Sequence, residues 1–164
     1  RLIEQIELET PPAAIDGGIG LTCFSPLGGG LLTGKYSGQD RPEKGSRAAH
    51  RTGVDGPRFW HPKGFETAEI LRQVSEESGI DRVSLAIGWP LKRRFVTSVI
   101  VGAKNLDQLK ADLVPADWDV PEDVWNTLEE RTRPEEEYMT WYNKFNYNRF
   151  FEAAEFHDPD VELL

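Results

Sequence analysis

Two short stretches of this chain combine residue types that could hold an anion. The first is Ser25-Pro26-Leu27-Gly28-Gly29-Gly30-Leu31-Leu32-Thr33-Gly34-Lys35, which follows an apolar run at 19–24. A glycine-rich turn after a strand leaves backbone N–H groups uncovered and Lys35 adds a cation, the arrangement with which α/β proteins hold phosphorylated ligands at the carboxyl ends of their strands. The second is Gly102-Ala103-Lys104-Asn105-Leu106-Asp107-Gln108-Leu109, which follows the β-branched run at 96–101. It joins a small-residue turn and a lysine to the start of an amphipathic helix, where unpaired N–H groups and the helix dipole favour negative charge.

Both stretches need strands to carry them, and the sequence supplies two. Asp16-Gly17-Gly18 breaks the chain ahead of a strand at 19–24, and Pro11-Pro12 upstream favours a helix that begins near Pro12. Residues 36–63 are rich in Gly, Pro, Arg and polar side chains without periodicity, which predicts a long loop. Phe65, Ala68, Ile70, Leu71 and Val74 then recur at helical spacing up to Ser78-Gly79. A second helix at about 81–91 takes Asp81 as its N-cap and buries Val83, Leu85, Ala86, Ile87 and Trp89. The run at 96–101 is nearly continuous in apolar and β-branched residues, as expected of a parallel strand buried on both faces. Helices at about 105–113, with Leu106, Leu109 and Leu113 on one face, and at about 121–132 complete an alternation that predicts an α/β fold with parallel strands.

Composition narrows the function classes. With 38% hydrophobic and 29% charged residues, the 164-residue chain has a globular balance and holds one core. No run reaches the ~18 apolar residues of a membrane span, and the amino end lacks a signal-peptide core, which predicts a cytoplasmic protein that binds no membrane. A net charge of −9 argues against nucleic acid as a partner. Any phosphate site must draw on local cations, and Lys35, Arg41, Lys44, Arg47 and Arg51 gather just after the glycine turn. Cys23, the only cysteine, reads as a small buried hydrophobe. His50, His61 and His157 show no metal-ligand spacing, and no metal is expected. Glu135-Glu136-Glu137 reads as a solvated face, and no tyrosine has an identifiable lysine and histidine beside it, so no catalytic residue is nominated.

Residues 29–36 read G-G-L-L-T-G-K-Y, which follows the P-loop pattern through its lysine and breaks it at the next position, where a hydroxyl must reach Mg²⁺. Tyr36 cannot serve there, and Ser37-Gly38-Gln39-Asp40-Arg41-Pro42 continues as loop where a P-loop opens into a helix. Taken together, the two glycine turns resemble the aldo-keto reductase superfamily. In one branch of it, strand seven leads to S-P-L-x-x-G-x-L-T-G-K and strand eight to I-x-G-A-(R/K)-x-x-x-Q-L. Arg47 in Gly45-Ser46-Arg47 and the helix ending Ser84-Leu85-Ala86-Ile87-Gly88-Trp89 keep the same order.

The resemblance implies the carboxyl-terminal portion only of a (β/α)₈ TIM barrel over about residues 1–133, binding NADP(H), or less often NAD(H), across the ends of its last strands. By position, Ser25, Leu27, Gly28, Gly29 and Gly30 would line the pyrophosphate with Lys35 beside them, while Gly102, Ala103, Lys104 and Gln108 would surround the adenosine ribose and its 2′-phosphate, with Lys104 on that phosphate. The family usually reads the adenine edge with Glu-Asn three and four residues beyond the Gln, where this chain has Ala111 and Asp112. The tyrosine, lysine, aspartate and histidine with which the family reduces a small-molecule carbonyl belong to the first half of the barrel and have no counterpart here. A full barrel takes about 250 residues. The chain therefore reads as a cofactor-binding part that needs the missing barrel half or self-association, because two strands alone leave unpaired edges. A non-catalytic dinucleotide-binding or interaction module is the alternative. Residues 134–164 form an aromatic-rich tail in which Trp141, Tyr142 and Phe145 would wall a substrate pocket for an apolar aldehyde or ketone.

Overall fold

Proline and glycine punctuate the chain where the sequence places them. In the computed structural model, which describes residues 10–36, 45, 47–116 and 119–133, helix α1 (Thr10–Asp16) takes Pro11 and Pro12 in its first turn, where a missing N–H costs nothing. Strand β1 (Leu21–Phe24) follows and ends in a 3₁₀ turn at Gly28–Thr33. Helix α4 (Pro62–Ser78) starts on Pro62, is capped by the His61 imidazole accepting from the Gly64 N–H, and stops at Gly79 in the left-handed region. Helix α5 (Arg82–Leu91) is capped by Asp81, whose carboxylate accepts from the N–H groups of Val83 (2.9 Å) and Ser84 (3.2 Å). Strand β2 (Val96–Ile100), helix α6 (Leu106–Leu113) and helix α7 (Glu122–Arg131) complete the order.

The expected long loop is in part helical. Residues Arg47–His50 form helix α2 and Thr52–Phe59 form helix α3, although α3 contains Pro57 and two glycines that lower its intrinsic propensity. Packing supplies what propensity lacks, because both helices lie against the glycine turn and bury Ala48, Asp55 and Phe59.

The core is built by helices. Leu71, Leu85 and Leu128 are fully buried and meet Val74, Ile80, Ala86, Trp89, Val120 and Trp125 between α4, α5 and α7, and Leu32 joins them from the glycine turn. The strand end is thereby fixed to the helical layer through its own loop. From the end of α5, Lys92 and Arg93 reach Glu122 and Glu129 of α7 as ion pairs.

The strands β1 and β2 pair in parallel, with Thr22 opposite Ser98, Cys23 opposite Val99 and Phe24 opposite Ile100. The expectation of a strand buried on both faces is corrected here. Leu21, Cys23, Val96 and Val99 are half-buried, whereas Thr22, Phe24, Ser98 and Ile100 are exposed, because α5 packs on one side of β2 while the other side keeps most of its surface in water. Phe24 and Ile100 keep 62% and 57% of their surface in water. The Leu106, Leu109 and Leu113 face of α6 exists as predicted and is likewise exposed. These two strands and their helices make a mixed α/β fold.

Asp112, on the flank of α6, is only 7% exposed, and burial pushes its carboxyl above the ordinary range. A raised carboxyl pKa means that the folded state binds more protons than the unfolded chain. The resulting loss of stability is therefore absent at pH below the ordinary carboxylate range and complete above the raised value. Asp112→Asn is expected to raise the melting temperature at neutral pH, and the gain should vanish as a series of thermal melts is carried to acid pH. Two further substitutions test the helix joints by chemical denaturation. Asp81→Ala should cost about 1 kcal/mol through the lost cap. Gly64→Ala should cost about 3 kcal/mol, because a methyl there would stand 2.0 Å from the Phe59 carbonyl oxygen.

Candidate anion-binding site

The end of β1 is bent by unusual backbone. Ser25 adopts φ 56°, a left-handed conformation that costs a non-glycine residue about 1 kcal/mol or more, and Gly28, Gly29 and Gly30 follow at 55°, 66° and 97°. The turn is closed by N–H donations from Gly28 to the Ser25 carbonyl (2.9 Å) and from Gly30 and Leu32 to the Leu27 carbonyl (2.9 and 3.2 Å). The Thr33 hydroxyl donates to the Gly30 carbonyl at 2.8 Å and accepts from the Lys35 N–H at 3.4 Å, which ties the lysine back to the glycines. A β-carbon at Gly30 would lie 2.6 Å from Cε and 2.7 Å from Nζ of Lys35, so this glycine is what lets the ammonium settle on the turn. Tyr36 then packs on Trp60 (5.1 Å between rings), and Trp60 on Phe65 (5.9 Å). This aromatic packing is the role of the residue that breaks the P-loop pattern.

Three arginines lie near the same turn: Arg47 and Arg51, which the sequence offers as local cations, and Arg58, which it does not single out. The Asp55 carboxylate, 2% exposed, accepts from Arg47 Nε at 2.8 Å and faces Arg51 Nε at 3.7 Å. Arg58 stacks over the rings of Phe24 (5.2 Å) and Phe59 (4.8 Å), which brings another cation to the end of β1. The signal in the sequence was the bunching of Lys35, Arg41, Lys44, Arg47 and Arg51 after the glycines, which Arg58 extends. What it lacked was the short helices that carry them.

The second stretch leaves the neighbouring strand. Gly102, Ala103, Lys104 and Gln108 are exposed, and a β-carbon at Gly102 would meet nothing within 4 Å. Asn105 caps α6 by accepting from the Gln108 N–H at 2.9 Å, and Gln108 returns its side-chain oxygen to the Lys104 N–H at 2.9 Å. This is a close variant of the reciprocal capping box. Because β1 and β2 are parallel neighbours in register to Phe24 and Ile100, the turns that follow them leave the same end of the sheet. Ser25, Leu27, Gly28, Gly29, Gly30 and Lys35 therefore share that end with Gly102, Ala103, Lys104 and Gln108. Asp112 does not join them at the surface. Trp141, Tyr142 and Phe145 lie outside the described residues.

The donor set fits phosphate groups. Lys35, Arg47, Arg51, Arg58 and Lys104 bring positive charge to one sheet end, with Asp55 the buried carboxylate among them. Other chemistry finds less support. Cys23 is half-buried, and burial pushes its thiol up, away from the thiolate a nucleophile requires. His61 is held locally, capping α4 through Nδ1 and meeting the Arg58 carbonyl through Nε2. Among the described residues no group of three His, Cys, Asp or Glu is arranged to hold a metal ion, and no helix is long and apolar enough to cross a membrane.

Comparison with known proteins identifies the family. An L-glyceraldehyde 3-phosphate reductase of Escherichia coli O157:H7 is 30% identical over 99 residues, which is 60% of this chain and 29% of that protein. A probable voltage-gated potassium channel subunit beta of Arabidopsis thaliana is 32% identical over 120 residues, 69% of this chain and 34% of that one. An aldo-keto reductase of Pseudocercospora fijiensis (strain CIRAD86) is 26% identical over 138 residues, 79% of this chain and 47% of that one. The chain spans less than half the length of each of these relatives. The Aldo/keto reductase family matches residues 4–132, most of the chain, and the protein belongs to that family.

Proposed function

We propose that this chain is the cofactor-binding, carboxyl-terminal part of an NADP(H)-dependent aldo-keto reductase, supplying the last two strands of a (β/α)₈ barrel. The observation that carries the reading is the adjacency of the two glycine turns at one end of a parallel pair, each with a lysine. In it, the Ser25 to Gly30 turn with Lys35 takes the pyrophosphate, Arg47 adds a guanidinium there, and Lys104 with Gln108 takes the adenosine ribose and its 2′-phosphate. Gly102 and Ala103 keep that approach free of side-chain bulk. The bound cofactor supplies hydride to a carbonyl carbon in the intact parent.

Asp112 bears on cofactor choice. It occupies the position of the family's adenine-reading amide yet is turned into the protein, so in this reading adenine is held by stacking and shape, and selectivity between NADP and NAD falls to Lys104. The proton-donating residues of the reaction belong to the first half of the barrel and come from outside this chain's described residues. The open strand face at Phe24 and Ile100 is the surface that such a half, or a second copy, would cover. Localisation in the cytoplasm belongs to this proposal as well. So does a division of labour in which residues 134–164, with Trp141, Tyr142 and Phe145, wall the carbonyl substrate.

Fluorescence titration of the full chain with NADPH and NADH tests the cofactor assignment. Lys104→Ala should weaken NADPH roughly tenfold, the loss of one charge-assisted hydrogen bond, and weaken NADH less. Equal affinities in mutant and parent would remove Lys104 from the site. Size-exclusion chromatography and circular dichroism test the need for a covering partner. Association or a broad, weakly cooperative melt is expected, and a cooperatively melting monomer would overturn that expectation.

A further inference from the structure

Asp55 is a buried acid set against the glycine turn. It is 2% exposed on α3, Oδ1 has no hydrogen-bond partner, and Oδ2 would stand 3.3 Å from a β-carbon at Gly29. A carboxylate taken out of water at this depth is costly unless charge compensates it. The compensation comes from two arginines on the neighbouring turn of chain. Arg47 donates its Nε–H to Oδ2 at 2.8 Å, and Arg51 brings Nε to within 3.7 Å of Oδ1. The acid thus holds the Nε edge of Arg47 by a hydrogen bond and draws Arg51 near by charge alone. Both side chains remain about half exposed, at 43% and 52%, so their outer ends reach solvent beside the glycine turn.

An arginine is a planar fork, and fixing its Nε edge fixes the direction of its two terminal NH₂ groups. We propose that Asp55 is a positioning residue that aims Arg47 at the phosphates of a dinucleotide held on the glycine turn, with Arg51 adding charge beside it. The inference rests on the reading of that turn as a dinucleotide site. One carboxylate under two guanidiniums leaves the cluster with a net positive charge, and Lys35 on Gly30 adds to it. Without the acid, two long cationic side chains would spread apart into solvent, and each would have to be ordered anew when an anion arrives.

The test is a double-mutant cycle read by NADPH fluorescence on the full chain at low and high ionic strength, with circular dichroism melts run in parallel. Asp55→Asn keeps the shape and removes the charge, and it should weaken NADPH roughly tenfold in the parent. In an Arg47→Ala background the same change should cost less than about twofold, because its effect passes through that arginine. Asp55→Asn also raises the local positive charge by one, so tighter NADPH binding in the variant at low ionic strength would show that charge outweighs positioning and would overturn the proposal. Equal costs in both backgrounds would make Asp55 a structural residue only and would overturn the proposal. Should Asp55→Asn fail to fold, NMR of the arginine Nε–H groups in the parent decides instead. Arg47 should give a protected resonance that shifts on addition of NADPH, and an Arg47 signal that is averaged with solvent and insensitive to NADPH would overturn it. If the parent binds neither NADPH nor NADH, the dinucleotide reading fails and this inference with it. If the parent binds but Asp55→Asn binds equally well, only this inference falls.

Discussion

The parallel pairing of β1 with β2 is the constraint on which the rest of this structure depends. The ladder is irregular between Leu21 and Thr22, where β2 carries Thr97 as an extra residue. Gly20 sits beside the irregularity because a β-carbon there would lie 1.9 Å from the Thr97 hydroxyl oxygen. Beyond it the strands run in step, with the hydroxyls of Thr22 and Ser98 hydrogen-bonded at 3.1 Å and Phe24 beside Ile100. A slip of one residue would exchange these side chains with Cys23 and Val99, turning polar groups toward α5 and shifting the two following turns relative to each other. Register therefore decides the spacing of the two cationic turns as well as the burial of the strands.

The glycine turn is rigid for a reason that lies elsewhere in the chain. Leu32 drops from it into the helical core at 2% exposure, Leu31 is fully buried against the start of α4, Ala48 and Phe59 seal it from α2 and α3, and Thr33 ties off its end. A loop of this composition would be free in isolation, since glycine gives up more backbone freedom than any other residue on ordering. Here that entropy is offset by apolar burial from side chains two residues away. The turn keeps its backbone accessible while its flanks are anchored.

The chain's elements were legible where a cap or a periodicity marked them. Asp81, Asn105 and Gly79 end their helices where the spacing of apolar residues changes, and both strands fall within a residue or two of the reading. Three things escaped it. Helices α2 and α3 have weak intrinsic signals and exist because they pack on the glycine turn, a contact no local window contains. The exposure of Phe24 and Ile100 follows from what covers a sheet, which β-branched composition does not specify. The site was legible in its two motifs, whose residues end up at one sheet end. The Asp55 cluster was not, because the burial of a lone acid among surface-type residues is a tertiary fact.

The reciprocal cap on α6 has a consequence for the kind of atom the second turn can address. The oxygen of the Gln108 amide is turned inward onto the Lys104 N–H, so its nitrogen points the opposite way. What Gln108 offers outward is two N–H donors. Together with the Lys104 ammonium, which can only donate, this gives the pair Lys104 and Gln108 a donor surface, with the exposed Asp107 carboxylate as the acceptor beside it. Such a surface discriminates by polarity before it discriminates by shape: ether, hydroxyl and phosphate oxygens are welcome, while a ligand's own amine or amide N–H finds no acceptor from either side chain.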